Sequence, residues 1–446
     1  MKLKTFKIGG VHPPENKISA DKPIETLPLP DKVSIPLCQH LGAPAVPTVK
    51  KGDAVKVGTL IAKGEAFISA NIHSSVSGTV FSIDDVMDAS GYKAKAVVIK
   101  VEGDEWEESI NRSAELDKEI KLEPEAIVEK IKEHGIVGLG GACFPTHVKY
   151  MFPAGKTADA VVINGVECEP YLTSDHRLML ERPDEILVGV QILMKAAKVD
   201  KAFIGIEANK MDAIDLLTEK AKGYKGIEVV PLKVQYPQGA EKQLIKAILN
   251  REVPSGKLPL DVGCVVNNIG TALAVYEAVQ KNKPLFERIV TLTGKKLGKT
   301  GNFLARVGVP AANMLQALGQ EMPEGTAKII SGGPMMGKAA PGLDIPITKG
   351  TSGLILMDES EAKRSKTQAC IRCGKCVTVC AMGLEPYLLE KLSERDKFEE
   401  AEKEMIADCI ECGSCSYTCP SSRPLLDLVR YGKANVMRIR AERRQK

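Results

Sequence analysis

Eight of the 12 cysteines stand in two runs of one spacing. The first is Cys370-x2-Cys373-x2-Cys376-x3-Cys380. The second is Cys409-x2-Cys412-x2-Cys415-x3-Cys419, followed by Pro420. Three closely spaced thiolates can wrap three irons of a cubane, while the fourth cysteine leaves on a helix and reaches the other cubane. The spacing therefore predicts two [4Fe–4S] clusters. One is held by Cys370, Cys373, Cys376 and Cys419, the other by Cys409, Cys412, Cys415 and Cys380. Zinc competes, since CxxC pairs bind it too, but two four-cysteine runs of this form fit iron–sulfur better. Ala381 stands where a proline is common. Cys38, Cys143, Cys168 and Cys264 are scattered and read as small buried residues, and the six histidines show no ligand spacing.

The second chemical stretch is Gly135–Lys149, GIVGLGGACFPTHVK. Gly138, Gly140 and Gly141 let the backbone approach a ligand closely. Their N–H groups can cradle a phosphate or a flat ring, and Lys149 can add a point charge. A tight turn closing the preceding helix is the plainer alternative, because a glycine-rich loop alone is a weak signal.

Elements must position these groups. The chain of 446 residues has room for roughly three domains. Its composition, 44% hydrophobic and 26% charged, is that of a globular protein. A net charge of +4 and 4% aromatics give no case for nucleic-acid binding. No apolar run nears the roughly 18 residues that span a bilayer, and MKLKTFKIGG leads into no signal-peptide core. The chain is therefore expected in the cytosol or on the cytosolic side of a membrane, where disulfides do not persist and metal ligation explains the cysteines.

Residues 1–105, rich in Gly, Pro and Val, read as turn-rich β-structure. Residues 106–123 read as a charged linker or solvated helix face. Residues 124–285 alternate apolar strands (160–163, 201–206, 227–234, 264–266) with amphipathic helices (185–198, 211–222, 240–250, 271–280). That alternation predicts a doubly wound parallel sheet, with ligands beyond the carboxyl ends of its strands. Asn164, Glu167 and Glu169 follow its first strand, and Asn267 and Asn268 follow its last. Residues 286–357 read as a small α+β unit with strands 289–293, 328–331 and 354–357. Residues 358–446 form a helical cluster domain. The glycine turn Ser331–Gly337 reads as a plain loop, with a ligand contact as the alternative. The basic residues Arg438, Arg440, Arg443 and Arg444 form either a solvated helix face or a docking face for a membrane partner.

Several motifs carry resemblances. Val49–Ala62 with Ile72–Val80 resembles a biotinyl/lipoyl-type barrel-sandwich. Glu65–Ala70, where such carriers place a modifiable lysine, has none, which points to a structural role. Gly138–Lys149 is similar to the flavin- and NADH-binding motif of the NADH-oxidising flavoprotein subunit of respiratory complex I. Asn164-Gly-Val-Glu-Cys-Glu-Pro170, Tyr236-Pro-Gln-Gly-Ala-Glu241 and Asn267-Asn-Ile-Gly-Thr271 resemble further motifs of that family, with Val166 and Ala240 replacing acidic residues. Gly9-Gly-Val-His-Pro-Pro14, the Gln39-His40 segment, Glu167–His176 and the two cysteine runs stand in an order by which, over nearly its full length, the chain resembles the RnfC family, components of the Rnf complexes, which are ion-translocating ferredoxin:NAD+ oxidoreductases.

The resemblance implies a multidomain α/β protein: a barrel-sandwich-like domain (1–105), a Rossmann-like FMN/NADH domain (106–285), a β-grasp domain (286–357) and a helical two-cluster ferredoxin-like domain (358–446). It implies non-covalent FMN held by Gly138, Gly140, Gly141, Lys149, Asn164, Asn267 and Asn268. Phe144 would stack on the dinucleotide. Glu167 and Glu169 would bond flavin or ribose, with an exposed loop as their alternative, and Tyr236 and Glu241 would lie near NAD(H). Phe144 and Glu169 are the implied catalytic pair. The implied partners are the other subunits of a membrane-bound complex, including a ferredoxin-reactive iron–sulfur subunit, with this chain peripheral on the cytoplasmic face. A soluble flavin/iron–sulfur cobalamin reductase and a zinc-knuckle scaffold are the alternatives.

Overall fold

The structure, a computed structural model, describes residues 2–445. The segment 32–101 folds into two facing antiparallel sheets. One is ordered Lys32–Pro36, Lys93–Val101, Gly78–Met87, Ala54–Val55, and the other Val46–Pro47, Leu60–Lys63, Ile72–His73. Val33, Ile35, Ile61, Ile72, Val97 and Ile99 fill the space between them. This is the expected barrel-sandwich. Residues 106–123 form no helix; they run as an extended connection.

The central sheet is parallel and ordered Ile227–Leu232, Ala202–Glu207, Ala160–Asn164, Cys264–Asn268. Its first strand, AVVIN, is buried along nearly its whole length, as a strand covered by helices on both faces must be. The helices Pro183–Ala197 and Ile269–Lys281 pack against each other on one side of it. The first starts with proline at a position where no N–H is needed. The second is capped by Asn268, whose side chain accepts from Gly270 N–H at 2.8 Å. Strand order reverses between Ala160–Asn164 and Cys264–Asn268, so the crevice of a doubly wound sheet opens there. Asn268 sits in register with Asn164 at its rim.

The third unit is one six-stranded sheet: Ile24–Thr26, Gly301–Arg306, Glu287–Thr293, Gly353–Asp358, Thr326–Ser331, Lys338–Ala340. Its edge strand comes from the amino-terminal region and pairs in parallel with Asn302–Leu304. Strand Gly301–Arg306, which the hydrophobic pattern does not predict, lies inside the sheet. This sheet and the barrel-sandwich share one apolar core, in which Ile35 and Ile99 belong to the same cluster as Phe303 and Leu354. The residues ahead of Lys32 lie outside the two barrel-sandwich sheets. They strap across the central and third units, with Lys4 bridging Leu232 and Val11 bridging Tyr236.

The carboxyl-terminal unit packs helices Pro386–Glu394, Phe398–Lys403 and Leu425–Gln445 around Leu389, Leu392, Ala401, Val429 and Val436. The cysteine runs lead into two short helices, Lys375–Thr378 and Ser414–Thr418, that pack on each other. Three of the four tail arginines make ion pairs within the chain: Arg438 with Glu442, Arg440 with Glu402, and Arg443 with Glu399 and Glu402.

Candidate functional site

The glycine loop lies over the mouth of the crevice. Gly138 N–H donates to the Phe144 carbonyl at 2.9 Å, closing the loop on itself. Leu139 N–H donates to Thr271 Oγ1 at 3.0 Å, which ties the loop to the start of the Ile269–Lys281 helix. Gly140 lies so close to Asn268 that an added Cβ would stand 2.7 Å from its Nδ2. Gly141 has open space on its side-chain face. Residues 140–142 are exposed, Phe144 is half-buried, and Cys143 is buried behind the loop. The loop therefore offers bare backbone to a ligand approaching from outside.

The sheet side of the mouth is polar and fully engaged. Asn164 donates to Gly239 O at 2.8 Å and accepts from Val166 N–H at 3.1 Å. Asn267 donates to the Tyr150 hydroxyl at 2.6 Å. Asn268 donates to Asp175 Oδ2 at 2.7 Å. Lys149 donates to Val266 O at 2.7 Å and lies 3.7 Å from Glu241, which brings a residue expected at FMN beside one expected at NAD(H).

The two glutamates after the first strand part company. Glu167, at φ +46°, turns its carboxylate onto the amino end of helix Ser174–Glu181. There it accepts from Asp175 N–H at 2.8 Å and His176 N–H at 3.3 Å. A carboxylate at that end is favoured by the free N–H groups and the helix dipole. Glu169 reaches the third unit. Its carboxylate accepts from Met335 N–H at 3.0 Å and Met336 N–H at 2.9 Å. The glycine turn Ser331–Gly337 is thus a clamp on Glu169. Gly333 is tight against that carboxylate, with no room for a Cβ. Gly333→Ala is expected to cost about 1–3 kcal/mol. Urea unfolding measures this, and an unchanged midpoint would mean that the clamp yields freely.

Burial pushes the Glu169 carboxyl up to about 7, against the pull of those two N–H groups and Lys17. The folded value lies above the unfolded 4.5. The folded chain therefore holds the extra proton in that window, and this group's contribution falls as pH rises from about 4.5 to 7. Glu169→Gln cannot ionise and is expected to remove up to about 1.4 kcal/mol per pH unit of that slope. Thermal melts across the window test it, and an unaltered slope in the variant would place the titration elsewhere.

Several residues at the site have no role that the sequence alone assigns. Lys17, on the amino-terminal strap, donates to the carbonyls of Glu167, Glu169 and Leu172 at 2.7–2.9 Å and so holds the whole turn. Burial lowers its ammonium to about 8. Asp175 is lifted to about 7 by burial and then by the Glu167 carboxylate, with Asn268 and Arg288 opposing. Arg288 reaches from the third unit to Leu139 O at 3.4 Å and to Lys349 O. Gln39 accepts from Lys349 N–H at 2.9 Å, which gives the Gln39–His40 segment a bracing role. Only position in the tertiary structure gives these residues their roles.

Tyr236 connects the site to the cysteines. Its hydroxyl donates to Cys412 O at 2.8 Å and lies 3.4 Å from Glu169. Cys380, Cys409, Cys412 and Cys415 line one apolar cavity with Leu384, Leu389, Ile410 and Val429, although Cys380 belongs to the other run. Burial pushes the Cys409 thiol to about 11 and Cys415 to about 12. Leu384 N–H donates to Cys380 Sγ at 3.3 Å and Glu411 N–H to Cys409 Sγ at 3.4 Å, contacts that suit sulfurs bearing cluster charge. Burial, with a smaller push from the nearby Cys419, raises the Cys376 thiol. Among the described residues no three ligating side chains converge on a single-ion position. Cys380, Cys409, Cys412 and Cys415 surround space of the kind a cubane needs. The strap closes over Cys380: Gly10 N–H donates to Val379 O at 2.9 Å, and a Cβ on Gly9 would stand 2.5 Å from the Cys380 carbonyl carbon.

Comparison with known proteins gives three family matches. Residues 4–104 match the RnfC barrel sandwich hybrid domain, 131–277 the Nuo51 FMN-binding domain, and 362–420 the 4Fe-4S dicluster domain. The chain is 48% identical to the C component of the proton-translocating ferredoxin:NAD(+) oxidoreductase complex of Clostridium ljungdahlii, over 97% of this chain and 94% of that one. It is 43% identical to the Na(+)-translocating counterpart of Acetobacterium woodii, over 100% and 99%. It is 39% identical to the C component of the ion-translocating oxidoreductase complex of Rhodobacter capsulatus, over 99% and 86%. A solved NAD+-reducing [NiFe]-hydrogenase superposes on 70% of this chain and 61% of its own, with a TM-score of 0.49 and 18% identity.

Proposed function

The chain belongs to the RnfC family, the C components of ion-translocating ferredoxin:NAD(+) oxidoreductase complexes, and from that premise we propose that it is the NAD(H)-reactive, electron-carrying subunit of such a complex. FMN, when bound, would supply hydride exchange with NAD(H), and two [4Fe–4S] clusters would supply one-electron carriage.

The chain's own residues bind and orient. Gly138, Gly140 and Gly141 give the flavin a backbone cradle, with Asn164, Asn267 and Asn268 along its sheet edge and Lys149 supplying positive charge. Phe144 offers the nicotinamide a stacking face. Glu241, paired with Lys149, borders the dinucleotide. Glu167 holds the helix that carries Asp175 and so fixes Asn268. Glu169 and Tyr236 join the flavin domain to the loop of Cys412. Cys370, Cys373, Cys376 and Cys419 hold one cluster, and Cys409, Cys412, Cys415 and Cys380 the other. Residues 286–357 form a β-grasp unit that clamps Glu169. The boundaries near 105, 285 and 357 divide the units, with the amino-terminal strap crossing them.

The observation that carries this assignment is the Tyr236–Cys412 hydrogen bond. It sets the strand ends of the flavin domain directly against a cluster loop. The partners are the other subunits of the complex, including a ferredoxin-reactive iron–sulfur subunit, and the chain sits peripherally on the cytoplasmic face of the membrane. No helix among the described residues is long and apolar enough to cross one. None of the relatives described above is a cobalamin reductase.

The test is NADH titration of the cluster-loaded chain with and without FMN. Cluster bleaching that requires FMN is expected. Bleaching at the same rate without flavin would overturn the proposed order.

A further inference from the structure

The two cysteine loops are copies of one pattern, Cys370-Ile-Arg-Cys-Gly-Lys-Cys376 and Cys409-Ile-Glu-Cys-Gly-Ser-Cys415. Their backbones agree: Arg372 and Glu411 lie at φ +54° and +56°, Gly374 and Gly413 at +74° and +78°. Their surroundings do not agree. The second loop is covered by the chain itself. Glu411 pairs with Arg430 at 3.1 Å and Lys433 at 2.9 Å on the terminal helix. Gly413 lies under Met335, where a Cβ would come within 2.8 Å of its carbonyl. The Cys412 carbonyl takes the Tyr236 hydroxyl.

At each matching position the first loop is bare. Ile371 is 67% exposed, Cys373 is exposed, and a Cβ on Gly374 would meet nothing within 4 Å. Arg372 stands where the other copy has its paired Glu411, and it has no carboxylate partner among the described residues. The approach is basic: Lys363, Arg364, Lys366, Arg372 and Lys375 are all exposed, with no acidic residue between 363 and 375. Lys363 and Arg364 pair with Glu359 and Asp427, while Lys366 and Lys375 make no ion pair among the described residues.

We infer that the loop Cys370–Cys376 is the docking face for a protein partner, another subunit of the complex that presents an acidic rim and an apolar contact around its own one-electron centre. The second loop docks on this chain through Glu411, Ile410 and Gly413, and the first offers the same fold with the opposite charge to a different protein. Ile371 supplies the apolar contact, and a basic rim meeting an acidic one speeds encounter. The step served is transfer of one electron across the interface, one lost on one side and one gained on the other, with no bond made and no proton moved. This docking role presupposes the electron-carrying function proposed above.

The test uses the membrane complex with Arg372→Glu and Lys375→Ser combined. These changes turn the first loop into the sequence of the second, which already folds and lies in the same backbone conformation. NADH is expected to bleach the chain's own clusters at the wild-type rate. Electron transfer to the other subunits should slow at least tenfold, and the chain should wash off the complex at lower salt. With Ile371 replaced by a photo-crosslinking amino acid, crosslinks to an acidic segment of another subunit are expected. Wild-type transfer and retention in the double variant would overturn the proposal. So would crosslinks confined to lipid, or a loss of binding to anionic phosphatidylglycerol vesicles with transfer in the complex intact. Failure of NADH to bleach the clusters of the unsubstituted chain would count against the electron-carrying function instead, and the crosslink would still report on the surface.

Discussion

Cys380→Ala is expected to damage the cluster of the second cysteine run and leave that of its own run in place. Cys380 lines the cavity of Cys409, Cys412 and Cys415, and its turn is pinned there from two sides. Gly9 and Gly10 of the strap press on it, and Gln243 donates to Ala381 O at 2.9 Å. A cubane missing one thiolate sheds iron, so iron should fall below the roughly eight per chain of two intact clusters. Paired variants locate the loss. Cys380→Ala and Cys409→Ala should leave the same residual electron paramagnetic resonance signal, and Cys376→Ala and Cys419→Ala should leave the other. If Cys380→Ala instead matches Cys376→Ala, each run holds its own cluster and the crossing is wrong.

Gly141→Ala is expected to weaken FMN binding more than tenfold, about 1.4 kcal/mol, while leaving the fold unaffected. Open space surrounds Gly141, so a methyl group meets no protein atom. Surface changes of that kind stay within about 0.5 kcal/mol. A binding loss without a stability loss can only come from the approaching ligand. Gly140→Ala differs in kind. Its methyl would meet Asn268, which cannot retreat because it is held by Gly270 on one side and Asp175 on the other. That variant should lose both stability, by about 1–3 kcal/mol, and flavin. Fluorescence titration with FMN beside urea unfolding separates the two. Wild-type flavin affinity in Gly141→Ala would reduce the loop to a turn.

The strands and helices of the central sheet are legible because hydrophobic period reports local burial. AVVI at 160–163 and the helix near 185–198 are readable to within a few residues of their observed ends. Helix Ser174–Glu181 is not, as its eight residues are mostly polar and its start is set by Glu167, a side chain outside it. Strand Gly301–Arg306 is hidden because GNFLAR shows no alternation, its asparagine being buried against Thr173 and Thr291. The pairing of Ile24–Thr26 with Asn302–Leu304 has no local signal at all.

By itself the sequence determined the chemistry that depends on spacing along the chain. Cysteines two and three residues apart are held near one another by covalent geometry, and clustered glycines bare the backbone wherever they stand. Only the tertiary structure decided what depends on which distant surfaces meet. It sent Glu167 to a helix end and Glu169 to a clamp 166 residues further on, although the two lie on one turn. It also covered one of two matching cysteine loops with the terminal helix and left the other open. Burial sets the charge state of a carboxyl and the reach of a cluster, and burial is a property of the packed molecule that no single stretch of chain contains.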